Sequence, residues 1–137
     1  MKELTDVYSI KEADGDLNLD KPLLVEFTDE DEWAAWMERN DPVLHIELRR
    51  LCDLLLIAPL SANTMAKVSH GMCDNLLTSL VRCWDYKALK PIIVAPAMNT
   101  MMYEHPFTEM QEKVMRDTLG INIIPTVSKV LMCGDSG

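Results

Sequence analysis

Asp53-Leu54-Leu55-Leu56-Ile57-Ala58-Pro59-Leu60-Ser61-Ala62-Asn63-Thr64 is the stretch on which the fold turns. Its first part, Leu54 to Pro59, is an uninterrupted apolar run of strand length, the pattern of a strand buried on both faces in a parallel sheet covered by helices. Pro91-Ile92-Ile93-Val94-Ala95-Pro96 repeats that pattern. Between the two runs lies a helical stretch, Asp74 to Trp84, in which Leu76, Leu77, Leu80, Val81 and Trp84 keep the helical period. A third pass follows, a helix from Thr108 to Leu119 stopped by Gly120, then Ile121 to Ile124 ended by Pro125. Strand, helix, strand is therefore the repeating unit, and it predicts an α/β architecture with a parallel sheet and right-handed crossovers.

Upstream of the first run, Asp41-Pro42 punctuates the chain and a helix is predicted from about Val43 through Cys52, with Leu44, Leu48 and Leu51 on one side. Earlier still, Thr28 precedes Asp29, Glu30 and Asp31, a capping residue and an acidic first turn suited to the positive end of a helix dipole. Trp33, Trp36 and Met37 follow at the spacing of one helical face and are read as core packing. A short apolar run, Pro22 to Phe27, precedes that cap. Residues 1–21 are polar, with a turn signal at Asp14-Gly15-Asp16, and read as a weakly ordered lead-in to a domain over residues 22–137.

The length of 137 residues suits one domain. Thirteen Lys and Arg against 22 Asp and Glu give a net charge of −9, which repels phosphate backbones and anionic lipid and so argues against nucleic acid or a membrane surface as partner. Neither an apolar leader nor a run approaching the roughly 20 residues of a membrane span occurs. Cys52, Cys73, Cys83 and Cys133 show no C-x-x-C pairing and read as reduced thiols of a cytoplasmic protein. Cys83 falls in the periodic helix and is read as core, whereas Cys133 lies in Met132-Cys133-Gly134-Asp135 and is the thiol to test for chemistry. No Cys and His cluster at ligand spacing, no H-E-x-x-H, no P-loop and no Gly-rich dinucleotide fingerprint is found, so neither metal catalysis nor a nucleotide site of those kinds is expected.

In open α/β sheets ligands bind beyond the carboxyl ends of the strands. Two such loops carry matching chemistry: Ala58-Pro59-Leu60-Ser61-Ala62-Asn63-Thr64 and Ala95-Pro96-Ala97-Met98-Asn99-Thr100. Each places small residues, an Asn and a Thr where a helix should begin, leaving backbone N–H groups and polar side chains for an anion or a polar cofactor tail. Either loop alone is explained by ordinary helix capping; the pair on adjacent strand ends points to a site. His45, at the start of a helix among apolar neighbours, has the range for a base but alone reads as a packed or capping residue. His70 and His105, beside Gly71 and Pro106, suit turn or surface roles.

Five ordered blocks resemble the phosphopantothenoylcysteine decarboxylases of the homo-oligomeric flavin-containing cysteine decarboxylase family. They are His45-Ile46-Glu47-Leu48-Arg49-Arg50, the block from Ala58 to Thr64, Cys73-Asp74-Asn75-Leu76-Leu77-Thr78, the block from Pro96 to Met102, and Cys133-Gly134-Asp135. The resemblance implies a three-layer αβα Rossmann-like (flavodoxin-like) fold and FMN as cofactor. It further implies oxidation of the substrate thiol to a thioaldehyde, loss of carbon dioxide, then reduction and protonation of the ene-thiolate to give phosphopantetheine for coenzyme A. On the same footing His45 is the base-like residue beside the flavin, Asn99 binds the substrate carboxylate with Met102 shaping its pocket, and Cys133 donates the final proton. Ser61, Ala62, Asn63, Thr64 and Ala97 fall at FMN-holding positions, and Arg50 matches a basic residue beside the site. Family members are homotrimers whose sites lie between subunits, the His of one facing the Asn of its neighbour; the substrate is a small phosphorylated cysteine conjugate.

The strand, glycine- and serine-containing turn, helix and second strand with which the family begins are not recognisable before Pro22, and its helix beyond Cys-Gly-Asp does not follow Gly137. The expectation is thus a sheet lacking its first βαβ unit, a domain truncated at both ends, and weak or no FMN binding by this chain alone. Two further family roles compete with the decarboxylase: a protein phosphatase inhibitory subunit of the same fold, which typically carries a long acidic tail, and a peptidyl-cysteine decarboxylase. The presence of His45, Asn99 and Cys133 together, and the H-I-E-L-R-R context, favour the first reading.

Overall fold

The computed structural model describes residues 25–126; the lead-in at 1–21 and Cys133 lie outside the described residues. Three parallel strands form one sheet in the order β1 (Leu55–Leu60), β2 (Ile92–Pro96), β3 (Asn122–Ile123). Ahead of the sheet come helices α1 (Asp29–Ala35) and α2 (Leu44–Leu51). Between β1 and β2 run α3 (Ala62–His70), α4 (Leu76–Cys83) and a single 3-10 turn, Tyr86–Ala88. Between β2 and β3 run α5 (Thr100–Tyr103), α6 (Pro106–Lys113) and a π-helical segment, Val114–Thr118. The repeating α/β unit read from the apolar runs is therefore the fold.

Leu55 pairs with Ile92 and Ile57 with Val94, so these four share one face, and all are buried. Above that face a single apolar cluster gathers Leu48 of α2, Met65 and Val68 of α3, Leu76, Leu77, Leu80 and Val81 of α4, then Trp84, Met115 and Ile121. The opposite face differs from expectation. Leu56 is 53% exposed and Leu54 48%, so the uninterrupted run does not mark burial on both sides within the described residues. The helices that contribute to the buried cluster cover one face, and Leu56 points away from them.

A second correction concerns Trp33, Trp36 and Met37, which are 70%, 57% and 81% exposed rather than packed in the core. The helix that should align them ends too soon: α1 stops at Ala35, Trp36 takes extended dihedrals, and the Asp41 carboxylate accepts from the N–H groups of Met37 and Glu38 to close a turn. Thr28 does cap α1, in a reciprocal box with Asp31. The last helix starts two residues earlier than its apolar period suggests, because the His105 ring caps it and Pro106 occupies its first position. Its final turns are π-helical, and Gly120 at φ +65 stops it as expected.

Candidate functional site

β1 and β2 end side by side, and their two following loops are tied together. Leu56 to Ile57 pair in register with Ile93 to Val94, whereas Leu60 pairs with Pro96, so β1 carries one extra residue around the cis Ala58–Pro59 bond. Beyond that bulge the Ala97 N–H donates to the Leu60 carbonyl at 3.0 Å. This contact sets the start of α3 against the start of α5.

The Ser61 hydroxyl caps α3, accepting from the Thr64 N–H at 3.1 Å, and it also donates to Thr64 Oγ1 at 3.1 Å. First-turn N–H groups of a helix, here those of Ala62 and Asn63, have no acceptor within the helix. On the other strand end Asn99 caps α5, its side-chain oxygen accepting from the Met101 N–H at 2.8 Å. Capping thus employs Ser61 and Asn99, two of the residues that the sequence marks as ligand-binding candidates. The structure brings the two loops together, as their matching chemistry suggests.

Next to them Ala62, Ala66, Met101, Met102, His105 and Phe107 line an open groove of about 320 Å³. Its lining mixes small and apolar side chains with the polar Thr108, Gln111 and His105, and it lies against the first turn of α3 at Ala62. Phe107 and the His105 ring stack at a centroid distance of 5.6 Å, and Thr108, buried, donates its hydroxyl to the Met102 carbonyl at 2.7 Å. Sequence reading passed over this support for Met102, since nothing in the spacing of Thr108 marks it as a partner.

His45 does not line this groove. It is the second residue of α2, and its Nδ1 is hydrogen-bonded to a carboxylate oxygen of Glu32 from α1. The His45 carbonyl accepts from the Cys83 thiol at 3.5 Å. Burial pushes the Cys83 thiol above its ordinary range, with Arg49 opposing, which leaves it protonated and structural at neutral pH. Glu32 is the residue that the sequence reading missed; thirteen positions separate it from His45 and no motif joins them. Arg50 is exposed and donates to Glu47 at 2.6 Å, a surface pair on α2. The exposed Asn63 and Ala97 complete the candidate set at the ends of the strands.

Parallel strands whose carboxyl ends open into a crevice between two capped helix starts define a Rossmann-like ligand-binding protein. The model of the Flavoprotein family matches residues 5–137, and the chain belongs to that family. A probable phosphopantothenoylcysteine decarboxylase of Arabidopsis thaliana is 58% identical over 123 residues, 87% of this chain and 60% of the relative. Among solved structures, a PPC decarboxylase mutant complexed with pantothenoylaminoethenethiol superposes with a TM-score of 0.76 at 58% identity, over 81% of this chain and 59% of that one. The FMN binding protein AtHal3 gives 0.70 at 58% identity, over 81% and 58%. The chain thus spans about three-fifths of the length of these relatives. No helix among the described residues is long and apolar enough to cross a membrane.

Proposed function

We propose that this chain carries the FMN- and substrate-binding face of a phosphopantothenoylcysteine decarboxylase, with residues 22–137 as its flavoprotein domain. The observation that carries the reading is the Ala97–Leu60 hydrogen bond, which joins the Ser61–Thr64 and Ala97–Met102 blocks in one crevice. The relatives at 58% identity support it. The groove beside a capped helix start, with Ala62, Ala66, Met101, Met102 and Phe107 for a ring and Thr108 and Gln111 for polar atoms, supports a flavin there. FMN, when bound, supplies a reversible two-electron acceptor that lets the cysteine carboxylate leave as carbon dioxide and returns the electrons afterwards.

The remaining work falls to side chains. Ser61, Ala62, Asn63, Thr64 and Ala97 hold the cofactor through backbone N–H groups and short polar side chains. His45 takes the proton of the substrate thiol. Asn99 orients the carboxylate through its amide; a neutral donor fixes that group without the excess ground-state stabilisation a cation would confer, which would oppose its loss. Met102 forms a wall of the same pocket, Arg50 offers a positive charge to the phosphorylated substrate, and Cys133 returns the last proton. Negative charge on both ligands, against a protein of net charge −9, makes helix starts and a few local cations the attractive elements. The proposed assembly is a cytoplasmic homotrimer in which His45 of one subunit meets Asn99 of the next.

Incubation of the chain with excess FMN and phosphopantothenoylcysteine tests the reading. Carbon dioxide release that His45→Asn abolishes is the expected result. Absence of release, with tight capture of a protein phosphatase catalytic subunit instead, would overturn it in favour of an inhibitory subunit.

A further inference from the structure

α1 is a seven-residue helix that buries none of its own residues; Phe27, just ahead of its cap, packs against the core, and two carboxylates within the helix attach it to its neighbours. Asp29 Oδ1 accepts from the Leu76 N–H at 2.7 Å at the start of α4, and Glu32 accepts from His45 on α2. Residues three apart share a helix face, so α1 turns one acidic edge toward both neighbours. The Glu32 side chain is 12% exposed and that of His45 25%, which distinguishes this pair from the surface pair Arg50–Glu47 at 61% and 41%.

We propose that Glu32 is a positioning residue for His45. Its carboxylate accepts the Nδ1–H, which fixes the neutral imidazole in the Nδ1-protonated tautomer and leaves Nε2 as the nitrogen with the free lone pair. The Cys83 thiol on α4 lies 3.5 Å from the His45 carbonyl and 3.4 Å from the Leu80 carbonyl of its own helix, so its single weak donor adds little, and the Glu32 contact from α1 is the one that sets the ring. A base that takes a thiol proton needs both its tautomer and its direction set beforehand. This inference rests on the base role of His45 proposed above.

Two measurements test it. In the chain carrying ¹⁵N-labelled histidine, ring nitrogen shifts at a pH where the imidazole is neutral report the tautomer, with His45→Asn identifying the His45 signals. Wild type and Glu32→Gln, whose amide oxygen still accepts, are expected to show the Nδ1–H form, whereas Glu32→Ala shows a tautomer mixture. With FMN and substrate, Glu32→Ala is expected to lower kcat roughly 10- to 100-fold with little change in KM, as for other acceptors that orient a functional imidazole, and Glu32→Gln to restore most of it. A wild-type tautomer signature in Glu32→Ala overturns the proposal, as does an unchanged kcat where His45→Asn abolishes release. If His45→Asn leaves release intact, the base role itself fails and the part of Glu32 in the reaction fails with it.

Discussion

α1 and α3 begin alike and are held in place by different forces. Each starts with a hydroxyl residue, Thr28 or Ser61, whose oxygen accepts from the N–H three positions on, at 3.2 Å and 3.1 Å. α3 then buries Met65 and Val68 in the central cluster and packs against α4 and α6. α1 itself buries nothing, exposes Trp33, and beyond the apolar contact of Phe27 ahead of its cap is attached through Asp29 and Glu32. A cap therefore marks where a helix starts without saying what will hold it. In this molecule the apolar route anchors the Ser61–Thr64 side of the crevice, and the polar route reaches the ring of His45.

The largest test of that contrast is removal of core volume. Leu80, fully buried in the cluster over the sheet, is expected to cost about 2–5 kcal/mol when replaced by Ala, read as a shift of the denaturation midpoint. A loss of a few tenths would show that the cluster is not what anchors α3 and α4. Next, Asp29→Ala leaves the partly buried Leu76 N–H without its acceptor and should cost about 1 kcal/mol, with hydrogen exchange accelerated at Leu76 and through α1. Protection unchanged in α1 would mean that another contact holds it.

Acid should separate the two regions further. The Thr28 hydroxyl and then its backbone N–H, both donating, hold the Asp31 carboxyl below its ordinary 3.8, and the N–H groups of Glu38 and Met37 do the same for Asp41. Folded values below the unfolded ones mean stabilisation present above 3.8 and lost as pH falls through the folded values. Amide signals of α1 and its following turn are thus expected to broaden or shift in acid before those of Val94 and Leu80; simultaneous loss would break the distinction. The smallest effect belongs to Trp33→Ala, an exposed site expected to change stability by no more than about 0.5 kcal/mol in the isolated chain. A larger cost there would mean that its face is covered in solution.

Legibility followed the range of each interaction. The runs at Leu54–Pro59 and Pro91–Pro96 were readable as strands because neighbouring residues carry the whole pattern, and Ser61 and Asn99 as helix starts because a cap acts over two or three positions. Trp33, Trp36 and Met37 misled because spacing alone does not show that a turn closed by Asp41 ends the helix first. Leu56 misled for a related reason, since its composition suits a buried strand but exposure depends on which elements cover that face. Glu32 carried no local signal at all.

By itself the sequence determined the α/β class, the order of the three strands with helix between them, and the two loops that bear the cofactor-binding and substrate-binding candidates, whereas the extents of α3 and α5 came from the structure. Periodicity and capping are local, and local physics is written in consecutive residues. Only the tertiary structure decided that Ala97 reaches Leu60, that Thr108 supports Met102, and that a carboxylate on an otherwise unburied helix meets the ring of His45. Those contacts join residues far apart in the chain, and their existence depends on how the helices pack over one face of the sheet.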